Sequence, residues 1–354
     1  MTRQPFAIDG RMIGPGHRPY VIAEMSGNHN GDLQRAKRLI EIASAAGADA
    51  VKLQTYTADT ITIRSSRPEF MVQDGLWKGR QLYDLYEEAH TPWAWHPELF
   101  EHARSFGITI FSSPFDTTAV DLLESLNAPA FKIASAEIVD WGLMEYVASK
   151  GKPVIVSTGM ATDTEIGEAV EILCSNGAKD LLVLHCNSGY PTPLSDANLS
   201  RIPYLAEKYD VLVGFSDHTL GTLAASIATA LGCAAFEKHF TTDRADGGVD
   251  SAFSLDADEL RAYCDGAREA FTSIGRTDVE VSESEAGTRQ FRRSLYFVTP
   301  VTRGEIIGRH HLRSIRPANG LHPRHLKDLV GLRAKVDIAE GTPADWMLVD
   351  QHVA

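Results

Sequence analysis

ADAVKLQ, residues 48–54, is a short run rich in apolar residues, and it directly follows LQRAKRLIEIASAAG, residues 33–47, in which apolar residues recur at helical spacing before the next strand signal. The same alternation of helix and strand signals extends outward along the chain. The strand-like runs are YVIAEM (20–25), ADAVKLQ, ITIFSS (108–113), AFKIAS (130–135), PVIVST (153–158), LLVLHCN (181–187), VLVGFS (211–216) and AAFEKHF (234–240). Strands that alternate with helices pair in parallel through right-handed crossovers, and eight such units favour a closed barrel over an open sheet. The sequence therefore predicts a (β/α)8 TIM barrel.

Two regions depart from this alternation. Segment 56–95 is longer than the other connections, and we expect this insertion to shape or cover the mouth of the barrel. Its aromatic residues include Tyr83, Tyr86, Trp93 and Trp95. After Gly275, the polar and acidic run TDVEVSESEAG (277–287) has no strong period and predicts a linker. We therefore expect a barrel at 1–276, a linker at 277–291 and a small β-rich domain at 292–354.

Composition limits the classes of partner. The 354 residues are 44% hydrophobic and carry a net charge of −13, which suits a large buried core and argues against nucleic acid or an anionic membrane as partner. Residues 292–335 nevertheless hold ten Lys or Arg against Glu305 and Asp328. This basic segment is either a solvated surface or a module that docks on the acidic barrel or meets an anionic substrate. The four cysteines are widely spaced and no apolar run could span a bilayer, so we expect a cytoplasmic protein.

Polar residues cluster at the predicted ends of the barrel strands, where barrels of this class carry their chemistry. Lys52 and Lys132 lie within strands that are otherwise apolar, so each ammonium group needs an anionic partner. With nearby hydrogen-bonding side chains they suit a small molecule that bears phosphate and carboxylate groups: Ser113, Ser135, Ser157, Asn187 and Ser216. The alternative is a set of internal salt bridges to Glu24, Glu137 or Glu237.

A histidine pair follows the last two strands. His218 comes after strand 7, beside Asp217, and His239 ends strand 8, beside Lys238. Because these strands are neighbours in a barrel, both imidazoles can reach one divalent ion whose remaining positions take water or substrate oxygen. Asp250 is either a carboxylate near that ion or an ordinary loop residue.

The chain resembles the sialic acid synthase family through motifs in the family's order: AEMSGNHNG (23–31), VKLQT (51–55), FSSPFD (111–116), FKIASAE (131–137), VSTGM (156–160), HCNSGYPTP (185–193), GFSDHT (214–219) and FEKHFT (236–241). Two C-terminal motifs, RRSLYF (292–297) and RPANGLHP (316–323), resemble its SAF, or antifreeze-like, domain. Within the family, four motifs are similar to the pseudaminate branch: SGNHN (26–30), QTYTADT (54–60), AHTPWAWH (89–96) and GVDSAFS (248–254).

The resemblance implies an enzyme that condenses phosphoenolpyruvate with 2,4-diacetamido-2,4,6-trideoxy-L-altrose and water, giving pseudaminic acid and phosphate. It implies that His218 and His239 hold a divalent metal that polarises the sugar aldehyde, with Mn²⁺ expected and Mg²⁺ or Co²⁺ as alternatives. The residues expected around phosphoenolpyruvate are Lys52, Ser113, Lys132, Ser135, Ser157, Asn187, Ser188 and Ser216. Ser188 stands where the sialic acid branch has Asn, with Asn187 beside it.

The resemblance also assigns residues to the sugar and to the attacking water: Glu24, Gln54, Glu137, Tyr190, Glu237 and Asp250. The expected catalytic carboxylates are Glu24, Glu237 and Glu137, with Glu24 the first choice of base for the water and Glu237 the second. Arg316 matches a family arginine that reaches from the SAF domain of one subunit into the barrel of its partner to bind an acyl group. The resemblance therefore implies a homodimer with exchanged SAF domains.

Three alternatives remain at this point. A sister enzyme that makes N-acetylneuraminate or legionaminate would share most of these motifs. A Schiff-base aldolase would need a nucleophilic lysine, commonly on strand 6, and LLVLHCN has none. A non-catalytic sugar-binding or antifreeze-like protein would not need the set of lysines, carboxylates and histidines at the strand ends.

Overall fold

The computed structural model describes residues 3–350 of the chain. The chain forms two compact units, and the boundary between them falls between Gly275 and Arg276. None of the helices in the described range is both long and apolar enough to cross a membrane.

The first unit is a closed barrel of eight parallel strands. An N-terminal hairpin comes first, with strands β1 (Phe6–Ile8) and β2 (Arg11–Ile13). The barrel strands follow as β3 (Tyr20–Glu24), β4 (Ala50–Thr55), β5 (Thr109–Pro114), β6 (Phe131–Ile133), β7 (Val154–Ser157), β8 (Leu181–Cys186), β9 (Leu212–Asp217) and β10 (Ala235–His239). Neighbours follow chain order, and β10 closes the barrel by pairing with β3. The predicted barrel is confirmed, and each strand boundary lies within two residues of the run read from the sequence.

Helices surround this barrel. Those of the first unit are α1 (Leu33–Ala46), α2 (Ala58–Ile61), α3 (Leu82–Ala89), α4 (His96–Ser105), α5 (Thr117–Ser125), α6 (Trp141–Ala148), α7 (Asp163–Ser175), α8 (Arg201–Tyr209), α9 (Leu223–Ala230) and α10 (Ala257–Ile274). Helix α1 shows how local sequence sets the ends of a helix. The Asp32 side chain caps its N-terminus by accepting hydrogen bonds from the backbone N–H groups of Gln34 and Arg35, and Gly47 ends the helix at a φ of +83°. Leu39 and Ile40 on its buried face pack into the main core.

The amino-terminal end of the barrel is filled by apolar side chains. Phe6, Ile8 and Ile13 of the hairpin form one buried cluster with barrel residues such as Ile22 and Leu182. The hairpin turns at Asp9 and Gly10, both with positive φ, which is the geometry that Asp-Gly favours in two-residue hairpins. Because the interior of the barrel is packed at this end, the open end is the one formed by the carboxyl ends of the strands.

The second unit contains two small antiparallel pairs. Its elements are α11 (Glu283–Ala286), β11 (Ser294–Phe297), β12 (Leu312–Ile315), α12 (Leu326–Leu329), β13 (Arg333–Ala334) and β14 (Val349–Asp350). The segment predicted as a linker holds α11 and a 3₁₀ turn at Gly287–Phe291. A separate apolar core, which includes Leu295, Phe297 and Ile307, stabilises this unit.

Candidate active site

A cavity of about 520 Å³ opens at the carboxyl ends of the barrel strands. Most of the site residues expected from the sequence border it: Glu24, Lys52, Gln54, Lys132, Ser135, Glu137, Ser157, Ser188, Tyr190, Ser216, His218, Glu237, His239 and Asp250. These residues are distant in sequence and meet because their strand ends lie on one rim of the barrel.

Two buried lysines and two buried carboxylates form an ion-pair cluster in the wall of this cavity. Lys52 Nζ pairs with Glu24 Oε2 and lies 3.8 Å from Glu237 Oε2. Lys132 Nζ lies 3.4 Å from the same Glu237 oxygen. Each of the four side chains is at most 6% exposed. The alternative of internal salt bridges is therefore realised in this structure through Glu24 and Glu237, whereas neither lysine forms an ion pair with Glu137, which is also a described residue.

The surroundings shift the pKa values of the two carboxylates of the cluster in opposite directions. Burial raises the pKa of Glu24, an effect that Lys52 opposes and the nearby Glu237 reinforces. Burial also disfavours the charged form of Glu237, but Lys132 and Lys52 outweigh it and lower the pKa of Glu237. Two neighbouring carboxyl groups whose pKa values move apart are suited to different roles, and Glu24 is the better proton acceptor of the two.

The pKa values of the two lysines are also shifted in opposite directions. Burial disfavours a charge on Lys52, yet the attraction of Glu237 and Glu24 raises its pKa. For Lys132 burial dominates, and its pKa is lowered. Glu137, another carboxyl group at the cavity, has a pKa raised to about 7 by burial.

The expected phosphoenolpyruvate residues are only partly brought together. Ser113 does not border the cavity and instead accepts a hydrogen bond from Lys52 Nζ at 3.1 Å. Ser216 donates to Glu237 Oε1 at 3.2 Å. The Ser157 hydroxyl is buried and has no hydrogen-bond partner among residues 3–350. It is therefore a hydrogen-bonding group that a ligand could satisfy.

The side chain of Asn187 forms hydrogen bonds within its own loop. Its Nδ2 donates to the Asp196 carbonyl at 3.1 Å, and its Oδ1 accepts from the Gly189 N–H at 2.8 Å. It borders a smaller neighbouring pocket, whereas Ser188 borders the main cavity. The sequence motif placed both residues at this strand end and could not tell which side chain turns inward.

The two histidines lie side by side, with ring centroids 5.4 Å apart. His218 Nδ1 is 2.8 Å from the Asn187 carbonyl oxygen. A carbonyl only accepts hydrogen bonds, so Nδ1 carries the hydrogen and a neutral His218 has its lone pair on Nε2. His239 Nδ1 is buried and has no hydrogen-bond partner within the described range. Burial, reinforced by the positive charges of nearby lysines such as Lys52, holds the pKa of His239 well below its ordinary value.

This pair fits a divalent ion. An orphaned buried imidazole nitrogen and a second imidazole whose tautomer is fixed are the donors that such an ion requires. Within residues 3–350 no cluster of three or more His, Cys, Asp or Glu side chains is arranged to hold a metal. The protein would therefore supply two ligands and leave the other positions to oxygen atoms of substrate or water.

One side of the cavity is apolar and aromatic, and sequence reasoning missed most of it. Trp77 donates its indole N–H to the Val249 carbonyl at 2.8 Å, and its ring lies 5.7 Å from that of Tyr190. The Tyr190 ring lies 5.0 Å from Phe253 and 4.5 Å from His218. We call Trp77, Tyr190 and Phe253 the aromatic wall. It runs from the 56–95 insertion to the histidine pair.

The 56–95 insertion borders the cavity, as the sequence predicted. Tyr86 borders the cavity, together with Val72, Trp77 and Leu82 of the same insertion. The other three aromatic residues named from the sequence do not border it: Tyr83 hydrogen-bonds Asp59, Trp93 hydrogen-bonds the Tyr56 carbonyl, and Trp95 packs on His29.

Arg316 lies in the second unit, where it is exposed. It borders a concave surface with two further arginines, Arg292 and Arg293, and with His322. This surface is part of the basic segment noted in the sequence, and it gives that segment a strongly cationic face.

Charged strand ends, a histidine pair and an apolar wall around one cavity define the first unit as a (β/α)8-barrel enzyme. A sequence model described as the NeuB family matches residues 39–279, and a model of the SAF domain matches residues 292–349. The chain therefore belongs to the NeuB family and carries a C-terminal SAF domain, which confirms the resemblance read from the motifs.

Individual relatives agree with this assignment. The chain is 43% identical to the pseudaminic acid synthase of Campylobacter jejuni over 322 residues, which cover 91% of this chain and 94% of that protein. It is 40% identical to the pseudaminic acid synthase of Helicobacter pylori over 326 residues, 92% and 96% of the two chains. Among solved structures, the N-acetylneuraminic acid synthetase of Leptospira borgpetersenii, in complex with citrate, matches with a TM-score of 0.72 and 31% identity, covering 81% of this chain and 95% of that one.

Proposed function

We propose that this enzyme condenses phosphoenolpyruvate with 2,4-diacetamido-2,4,6-trideoxy-L-altrose and water to give pseudaminic acid and phosphate. The observation that carries the proposal is a single cavity that combines two buried lysines, a pair of histidines and an aromatic wall. The identity of 40% or more to two pseudaminic acid synthases over most of the chain supports the same reaction.

The lysines supply the site for phosphoenolpyruvate. Lys52 pairs with Glu24 and Lys132 with Glu237, so both ammonium groups are held at the cavity, where an anion can contact them. The unpartnered Ser157 hydroxyl, with Ser135, Ser188 and Ser216, adds hydrogen-bond donors around them. The inward position of Ser188 favours it over Asn187 for this contact.

The histidines and the aromatic wall form the sugar side. His218 and His239 would hold a divalent ion, Mn²⁺ in our proposal with Mg²⁺ or Co²⁺ as alternatives, which when bound supplies a Lewis acid for the aldehyde. Tyr190 lies between these histidines and Trp77, so the carbon chain of the sugar would extend along the aromatic wall. Gln54, which donates to Glu24 at 3.1 Å, and Asp250 complete the polar side.

The carboxylates handle the proton of the attacking water. C3 of phosphoenolpyruvate bonds to the aldehyde carbon, C2 gains oxocarbenium character, and water adds at C2 before the C–O bond to phosphate breaks. Glu24 accepts a proton from that water, because it lies beside Lys52 and is the proton-accepting member of the carboxylate pair. The two protons of the water end on the new sugar hydroxyl and on phosphate, so no further reactant is needed.

The apolar side of the cavity favours a 6-deoxy sugar with two acetamido groups. Val72, Trp77, Leu82 and Phe253 offer surface to methyl groups and few partners for hydroxyl groups. N-acetylmannosamine has one acetamido group and a hydroxyl at C6, which this wall would desolvate without a hydrogen bond. The legionaminate precursor has the same groups as the altrose derivative and differs only in configuration, so it is the closer alternative.

Arg316 completes our proposal for the assembly. Its exposed cationic surface suits a site on another subunit, and we propose a homodimer in which each SAF domain places Arg316 at the acyl group of a sugar in the partner's barrel.

We also propose that the enzyme works in the cytoplasm, where buried thiols such as Cys233 and Cys264 stay reduced.

The direct test is phosphate release with purified protein, phosphoenolpyruvate and Mn²⁺, mixed separately with the altrose derivative, the legionaminate precursor and N-acetylmannosamine. We expect the altrose derivative to give the highest kcat/KM. A preference for either other sugar contradicts the pseudaminate assignment. Trapping of a substrate by borohydride would support a Schiff-base aldolase instead, and sugar binding with no phosphate release would support a non-catalytic binding protein.

A further inference from the structure

A second buried ion pair lies next to the cavity but outside it. Lys238 Nζ on β10 is 3.3 Å from Asp217 Oδ2 on β9, and the two side chains are 1% and 0% exposed. The residues that border the cavity include their chain neighbours His218 and His239 but neither Asp217 nor Lys238. Successive side chains of a strand point to opposite faces, so this pair faces the surrounding helices while the histidines face the interior.

Both oxygen atoms of the Asp217 carboxylate are fully used. Oδ2 also accepts a hydrogen bond from the Tyr263 hydroxyl of α10 at 3.0 Å. Oδ1 accepts from the backbone N–H of Thr219 at 2.8 Å and from its hydroxyl at 2.7 Å. Lys238 Nζ donates in turn to the Thr219 carbonyl. We call Asp217, Thr219, Lys238 and Tyr263 the outer network.

The outer network contacts the backbone next to each of the two histidines. Asp217 and Thr219 flank His218, so their mutual hydrogen bonds fix the backbone on both sides of it. Lys238 directly precedes His239 and is the register partner of Asp217 in the parallel pair β9 and β10. The network therefore links the backbone beside His218 to the backbone beside His239.

We propose that the outer network positions His218 and His239 for one divalent ion. Its members are positioning residues, because none of them borders the cavity. A buried ion pair alone contributes little net stability, since desolvation offsets the attraction between the charges. Directional bonds to the backbone beside a metal ligand, by contrast, hold the ligand in one orientation, and loss of such supporting contacts weakens metal binding. The inference rests on the metal site of the proposed function.

The test measures Mn²⁺ binding to the full-length protein without substrates, from the electron paramagnetic resonance signal of free Mn²⁺. Tyr263→Phe removes one hydroxyl from the network, and Lys238→Met removes the cation. We expect each to weaken Mn²⁺ binding by on the order of 10-fold or more. We also expect raised Mn²⁺ to restore kcat in Tyr263→Phe. Tyr146→Phe is the matched control, because it removes a hydroxyl that donates to Asp121 on the surface, and it should bind Mn²⁺ like the wild type.

Three results would overturn the inference. Wild-type affinity in Tyr263→Phe and in a folded Lys238→Met, with folding followed by circular dichroism, contradicts the positioning role and leaves the metal site intact. A wild type that binds no Mn²⁺, or a His218→Ala variant that binds it like the wild type, refutes the metal site and the inference with it. If Lys238→Met does not fold, the affinity of Tyr263→Phe alone decides.

Discussion

Replacing Glu237 with Gln perturbs the ion-pair cluster at its centre, because the Glu237 carboxylate faces both buried lysines. Its Oε2 lies 3.4 Å from Lys132 Nζ and 3.8 Å from Lys52 Nζ. At an effective dielectric constant of about 20, each attraction amounts to about 4 to 5 kcal/mol. Part of this is offset by the desolvation of the carboxylate, so we expect the ligand-free variant to lose about 3 kcal/mol of unfolding free energy.

The accompanying change in melting temperature separates internal pairing from ligand binding. A loss of this size lowers the melting temperature of a barrel unit by roughly 6 to 12 °C. Phosphoenolpyruvate bound between Lys52 and Lys132 would replace the missing negative charge. Its addition should therefore raise the melting temperature of Glu237→Gln more than that of the wild type.

The assay is calorimetric melting in metal-free buffer, with and without phosphoenolpyruvate. Glu98→Gln is the control, because Glu98 pairs with Lys37 in a position that is half exposed, and such pairs contribute little. It should melt close to the wild type and respond to phosphoenolpyruvate in the same way. If Glu237→Gln also melts like the wild type and gains no extra protection from phosphoenolpyruvate, the reasoning about the cluster is wrong.

Three further predictions concern single residues. Burial raises the pKa of Glu137 from 4.5 to about 7, so the folded protein holds this proton more tightly than the unfolded chain, and the resulting stability is lost as the pH rises through 7. The free energy of unfolding of Glu137→Gln, measured with denaturant, should therefore rise by about 3 kcal/mol relative to that of the wild type between pH 4.5 and pH 7. A difference between the two proteins that stays constant with pH would contradict this. Trp77→Gln should lower kcat/KM for the altrose derivative roughly 10-fold with an unchanged KM for phosphoenolpyruvate, whereas the exposed Trp141→Gln should change neither. His218→Ala should remain folded by circular dichroism and lose activity, and full activity in this variant or after chelation would refute the metal site.

The barrel and most of its site residues were predictable because both follow from local patterns. Short apolar runs such as PVIVST alternate with helical periods, and this alternation admits few topologies. Once the barrel is accepted, the carboxyl ends of all its strands lie on the same rim, which is how Lys52, Lys132, His218 and His239 could be grouped before any coordinates.

Other features depended on contacts that no local pattern encodes. Trp77 joins the cavity because the Val249 carbonyl, far away in the chain, accepts its N–H. Asn187 and Ser188 are adjacent in one motif, and only the fold of their loop directs Asn187 away from the main cavity. The N-terminal hairpin did carry a signal, since FAIDGRMI has an Asp-Gly turn between apolar runs.

By itself, the sequence determined the fold class, the family motifs and the set of reactive side chains at the strand ends, because periodicity and residue type are local properties of the chain. The tertiary structure decided how these side chains are paired. Lys52 and Lys132 could have met a ligand or internal carboxylates. The register of the neighbouring strands β3 and β4 places Glu24 beside Lys52, and closure of the barrel brings Glu237 of β10 to Lys132 of β6. The same holds for Lys238 and Asp217, whose partnership follows from the register of β9 and β10, and register is set by packing over the whole barrel.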